Sequence, residues 1–171
     1  AGGIITINYL SGEGVTHFNQ GYPLIIRRPD AKFTLSNFVR ANLYSSLATL
    51  TIGMEILNNE GVEIDKLTGH GGLFKTPLVG QRYLANALNI PIHVHSSSGE
   101  GGPYGMAILA SYYDHRDLSL EDYLDNYVFK NVEVKVLYPD EEGLKGYKKY
   151  LEDFKKILEI ERKTIEVLKD E

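Results

Sequence analysis

The chain has 171 residues, 43% of them hydrophobic and 24% charged, with a net charge of -5 and no cysteine. Such a chain can bury a core as one domain, or one domain with a helical tail, without covalent staples. It excludes disulfides and thiol nucleophiles, argues against a general polyanion-binding surface and so against nucleic acid, and holds no apolar run near the roughly 18 residues of a membrane span.

No stretch reads as a signal peptide, so a cytoplasmic protein is expected. The chain starts Ala-Gly-Gly rather than with Met and reads as excised from something longer. Ile4, Ile5 and Ile7 make a short apolar strand. Ser11 to Gly14 is a turn in which Glu13 is expected to hydrogen-bond backbone rather than act in catalysis. His17 reads as a loop residue. Tyr22 to Ile26 is a second strand, ended by Arg27 and Arg28, a solvated pair.

Thr34 is the expected N-cap of a long helix. Leu35, Val39, Leu43, Leu47, Leu50, Met54 and Leu57 recur at three- and four-residue spacing, which marks one apolar face as core. Ala41, Ser45 and Ala48 form a second face of small residues, which suggests that the helix is in contact on both sides. Val62, Ile64 and Leu67 suggest another strand.

Next comes GHGGLFKTPLVGQRYLANALNIPIHV, residues 69–94. Three glycines surround His70, a helical run extends from Leu78 to Leu88, Asn89 and Pro91 end it, and Ile90, Ile92 and Val94 make a strand. Glycine lets a ligand lie directly on the backbone, and the unpaired N–H groups at a helix start favour an anion. The spacing is neither GxxxxGKS nor GxGxxG, so alone it marks a nucleotide turn only weakly. Lys75 is placed to meet a phosphate or to be solvated. His93 and His95 share one side of a strand, but with no cysteine or carboxylate partners nearby they do not predict a metal site.

A glycine-rich loop, 96–102, precedes a helix for which Pro103 suits the first position; Gly105, Ala107, Ala110 and Ser111 suit it to close packing. Ser119 with Asp122 resembles a capping box. Val132, Val134 and Val136 alternate with charges as a half-exposed strand. From Leu144 to Leu168 the spacing gives a long amphipathic helix, expected to pack back on the domain rather than into a coiled coil.

Three stretches, in order, resemble the FGGY carbohydrate kinases, and xylulokinase among them. GGLFKTPLVGQ is similar to their adenosine-binding turn, in which a glycine run is followed by a small residue, Pro and a helix carrying Gln. YLSGEGVTH (Tyr9 to His17) resembles their YLSGE-type segment, and GEGGPYGMAILASY (Gly99 to Tyr112) their EGAALGAAILA-type segment. Together they cover residues 9–112.

The resemblance implies an α/β fold: the C-terminal lobe of the actin and hexokinase ATPase type, ribonuclease-H-like, with a central sheet flanked by helices and a long C-terminal helix. Residues 1–138 would be the nucleotide-binding lobe and 139–171 an amphipathic helix packed on it. The implied parent moves the γ-phosphate of MgATP to a sugar hydroxyl, on xylulose or a related ketopentose. ATP and Mg2+ are the implied cofactors. Gly71 and Gly72 would lie against adenine and ribose, Phe74, Lys75 and Thr76 would line the turn, and Glu100, Gly101 and Gly102 would support the cleft floor. His70 stands where the family often has glycine. The phosphate loop and catalytic aspartate belong to the other lobe, so no catalytic or metal-binding residue is expected here. The sugar is expected to reach the site through that lobe, and the chain alone is expected to be inactive. The face that would meet that lobe could also pair two copies into a homodimer. A second reading stays open: a non-catalytic ATP-sensing or assembly module on the same fold.

Overall fold

The computed structural model describes residues 1–168; residues 169–171, the end of the helix expected over 139–171, lie outside the described residues. The chain divides into two compact units. One comprises Ala1–Glu63, Asn86–Asn89 and the chain from Pro139 onward; the other comprises Ile64–Ala85 and Ile90–Tyr138. No helix among the described residues is long and apolar enough to cross a membrane.

The first unit is built on β1 (Ile4–Ile7), which pairs antiparallel with β2 (Leu24–Arg27). All four residues of β1 are buried, the signature of a strand covered on both faces. Its neighbours are the long helices α1 (Leu35–Asn59) and α5 (Glu141–Val167). β2 alternates between half-buried and exposed and leaves Ile25 outward. In the connecting loop Glu13 and Phe18 exchange backbone hydrogen bonds of 2.8 and 2.9 Å, and the Glu13 carboxylate accepts the Val15 N–H at 3.0 Å. Glu13 therefore orders its own turn.

Thr34 caps α1 by accepting the Asn37 N–H at 3.2 Å, and Asp140 caps α5 by accepting the Gly143 N–H at 2.7 Å. Of the two faces that the sequence marks on α1, the small-residue one is buried, and from the leucine face only Leu47 joins it. Ala41, Tyr44, Ser45, Leu47 and Ala48 are buried, whereas Leu35, Val39, Leu50 and Leu57 are exposed. The reason is the shape of the partner. Helix α5 brings Tyr147, Tyr150 and Phe154, and rings of that size need small residues opposite. Tyr44 meets Tyr147 and Tyr150 with ring centroids 5.1 Å away from it in each case. The Tyr150 hydroxyl lies 3.0 Å from the Ala41 carbonyl and accepts the Thr6 N–H at 3.3 Å, so one phenol ties α5 to both α1 and β1.

In the second unit β3 (Leu67–Thr68) runs parallel to β4 (Ile92–His95), and β5 (Val134–Leu137) pairs antiparallel on its other side, giving the order β3-β4-β5. The expected strand around Val62 and Ile64 reduces to these two residues at its end. Helix α2 (Val79–Leu88) begins in this unit, and Asn89 closes it in the left-handed conformation at φ 55°. Helix α3 (Gly101–Tyr112) has no buried residue, although it is rich in apolar and small side chains; Pro103 is its third residue. The Ser119 cap opens α4 (Leu120–Tyr123), which continues as a wider turn through Val128.

Candidate nucleotide site

The second unit presents two loops at the ends of adjacent parallel strands, where open α/β sheets place ligands. The first follows β3. Gly69 extends the ladder by donating its N–H to the His93 carbonyl at 2.8 Å. Gly71 then turns the chain at φ 99°, ψ -171°, a conformation that effectively requires glycine. A single 3-10 turn over Gly72–Phe74 follows. Its bonds are Phe74 N–H to the Gly71 carbonyl at 3.1 Å and Lys75 N–H to the Gly72 carbonyl at 3.2 Å.

The second loop follows β4. The Ser98 hydroxyl oxygen accepts the His95 N–H at 2.8 Å, a 3-10 turn covers Ser98–Glu100, and α3 starts at Gly101. The loops meet where Gly71 N–H donates to the Ser98 carbonyl at 2.7 Å and Lys75 Nζ lies 2.6 Å from Glu100 Oε1.

The glycines divide by what a β-carbon would meet. At Gly71, Gly72 and Gly102 nothing stands within 4 Å. The backbone there is bare, and a flat or polar group has room to lie on it. Gly69 and Gly101 serve internal packing instead: a β-carbon at 69 would overlap the Phe74 ring, and one at 101 would come 2.8 Å from the His70 β-carbon.

Beside the turn is a cavity of about 390 Å³, bounded by Phe74, Thr76, Pro77, Leu78 and Gln81, by Val94, His95 and Ser96, and by Glu133 and Lys135. Its walls are mixed, with apolar side chains from the turn and strand and polar groups at the rim, the composition expected of a small-molecule pocket. Gln81 is buried and donates to the carbonyls of Ile92 at 2.7 Å and Lys135 at 2.8 Å, so it fastens α2 to β4 and β5. Leu78 adopts φ 65°, which is costly for a branched side chain and fixes the approach into α2.

His95 packs against His70 at 6.0 Å and Phe129 at 5.5 Å between ring centroids. Burial holds its pKa below the usual histidine range, and the charges of His70 and His93 act the same way. The imidazole therefore stays neutral at physiological pH. Among the described residues no group of three or more His, Asp or Glu side chains could hold a metal ion.

Of the eight residues that the sequence nominates, Phe74 and Thr76 line the cavity, and Gly71, Gly72 and Gly102 offer bare backbone. Lys75 and Glu100 face each other, and Gly101 packs on His70. The sequence does not point to Leu78, Ser96, Ser98, Glu133 or Lys135. A left-handed leucine has no local signature. Glu133 and Lys135 do alternate with the valines, which places them on one side of the segment that enters β5, but the alternation does not say on which side of the sheet the cavity opens.

The profile for the C-terminal domain of the FGGY family of carbohydrate kinases matches residues 1–113. The chain belongs to this family. Solved structures agree on the fold. Ligand-bound xylulose kinase from Lactobacillus acidophilus superposes at TM-score 0.71 with 17% identity, over 96% of this chain and 32% of that one. Glycerol kinase from Plasmodium falciparum with ADP gives 0.70 at 21% identity, over 94% and 31%. Gluconate kinase from L. acidophilus gives 0.68 at 18%, over 95% and 31%. At such identities the likeness shows the fold, an α/β lobe of the actin and hexokinase ATPase type. The chain spans about a third of the length of each of these FGGY kinases. No curated protein sequence matches it significantly.

Proposed function

We propose that this chain is the adenosine-binding lobe of an ATP-dependent sugar kinase, and that the parent enzyme phosphorylates a ketopentose such as xylulose. The observation that carries the reading is the bare backbone of Gly71 and Gly72 at the strand end, beside a cavity walled by Phe74 and Thr76. The neutral faces of adenine and ribose suit such a surface. Gly71 and Gly72 hold the adenosine, Phe74 and Thr76 bound it, and the loop of Glu100, Gly101 and Gly102 supports it from the second strand. MgATP supplies the phosphoryl group, and charge stabilisation around it dominates such transfers. The residues of this chain bind and orient the nucleoside end; the acceptor hydroxyl and its base lie with the remainder of the enzyme. Family membership supports a carbohydrate as acceptor. Within that class xylulose is the inferred acceptor, and gluconate and glycerol are the competitors suggested by the other structural neighbours.

The test is ATP-dependent phosphorylation across a panel of ketoses, pentoses, gluconate and glycerol, run on the complete gene product and on the 171-residue chain separately. The complete product is expected to prefer a ketopentose and the chain alone to be inactive. Preference for gluconate or glycerol overturns the substrate. Turnover by the chain alone overturns the division of labour. No turnover by the complete product with any sugar favours a non-catalytic ATP-sensing module.

A further inference from the structure

We propose that Lys75 and Glu100 are positioning residues: an ion-paired clasp that holds the glycine turn at a fixed distance from the loop ahead of α3, and not contacts to the nucleotide's phosphates. The inference rests on the reading of this turn as a nucleotide seat and assigns two of its charged residues a different task.

Three contacts of different kinds join the same two short segments. The Gly71 N–H donates to the Ser98 carbonyl at 2.7 Å. His70 packs its β-carbon where Gly101 has none, the distance to a β-carbon built there being 2.8 Å. Lys75 then reaches across to Glu100 at 2.6 Å. Its stem passes Gly99, where a β-carbon would stand 3.4 Å from Lys75 Cγ. A β-carbon at 99 would only touch the lysine stem in ordinary contact, whereas the glycine at 101 gives the histidine a seat. The root of the lysine is fixed as well, because its own N–H is bonded to Gly72.

The ammonium rests on Glu100, and moving it to a phosphate would leave that carboxylate beside an anion. Both side chains are more than half exposed, at 57% and 68%, so the pair is weak and screened by salt. A weak pair adds little to global stability. It suffices to bias the spacing of two loops that a backbone hydrogen bond and a tight side-chain contact already bring together.

The experiment uses the 171-residue chain with Lys75→Glu, Glu100→Lys and the double swap, all at exposed positions where folding tolerates change. Two readouts are taken: hydrogen-exchange protection of the Gly71 amide, which needs no nucleotide, and affinity for ADP. Each single reversal is expected to lower Gly71 protection and weaken ADP by about two- to fivefold, the range of an exposed ion pair. The swap should restore both, and the single-variant effects should fade at high salt. If Lys75→Glu weakens ADP while Glu100→Lys leaves or tightens it, and the swap gives no rescue, Lys75 is a phosphate contact and the clasp is wrong. If the unaltered chain does not bind ADP but Gly71 protection still follows the charge swap, the clasp stands, and the ADP measurement passes to the complete gene product, where absence of binding overturns the nucleotide reading. If ADP binds and Gly71 protection ignores all three variants, the clasp alone fails.

Discussion

Glu161 lies on α5 with no solvent exposure and accepts the Tyr22 N–H through Oε1 at 2.7 Å; its buried Oε2 has no hydrogen-bond partner among the described residues. Burial raises its pKa above the ordinary carboxylate value, and the Tyr22 bond only partly opposes this. The folded state therefore holds the proton more tightly than the unfolded chain does. The stability that this gives is complete below the unfolded pKa and is lost as pH rises through the folded one. Glu161→Gln keeps an acceptor for Tyr22 and removes the charge. Its thermal stability relative to the parent should rise from acid to neutral pH across that window, and urea melts at pH 4 and pH 8 would show it. A difference that shrinks as pH rises contradicts the assignment. This residue was not legible from sequence, since a glutamate on an amphipathic helix reads as solvated until Tyr22 is seen to meet it. The glycine turn was legible as a turn, because a glycine run after an apolar segment breaks regular structure; its reading as a nucleotide seat rested on the family resemblance. The partner of Lys75 was not, since Glu100 is distant in sequence and joins it only through the parallel pairing of β3 with β4.

Helices were easier to read than strands. The caps Thr34 and Ser119 and the terminator Asn89 act locally, so each shows in the sequence where it acts in space. Which of the two marked faces of α1 packs could not be read that way. Its leucine spacing is real, but the face that packs is set by the tyrosines of α5, which lie about a hundred residues further on. That account predicts where stability is concentrated. Phe154 is fully buried and stacks near Tyr150 with centroids 6.2 Å apart. Phe154→Ala should cost about 3–5 kcal/mol, whereas Leu50→Ala on the outer face of α1 should cost well under about 1 kcal/mol. Denaturant melts of the two variants decide this, and a Leu50→Ala loss equal to that of Phe154→Ala would mean that α1 buries its leucine face after all.

At the scale of the whole molecule, one unit carries a strand sandwiched by long helices and the other carries the sheet edge with its two loops. The described functional features all fall in the second unit, and the account stands on its glycine turn. Gly72 is the residue that tests it. No atom stands within 4 Å of a β-carbon there, and its φ is not among the left-handed ones, so valine can be added without disturbing the fold. Gly71, at φ 99°, would be strained by the same change and is the wrong probe. The decisive measurement is the ATP and sugar affinity of the enzyme carrying Gly72→Val, with folding confirmed by its melting curve. The account predicts a loss of ATP affinity of roughly 30- to 1000-fold, about 2–4 kcal/mol, with sugar affinity nearly unchanged. A folded Gly72→Val enzyme that binds ATP as tightly as the parent would contradict it and remove this turn from the nucleotide site.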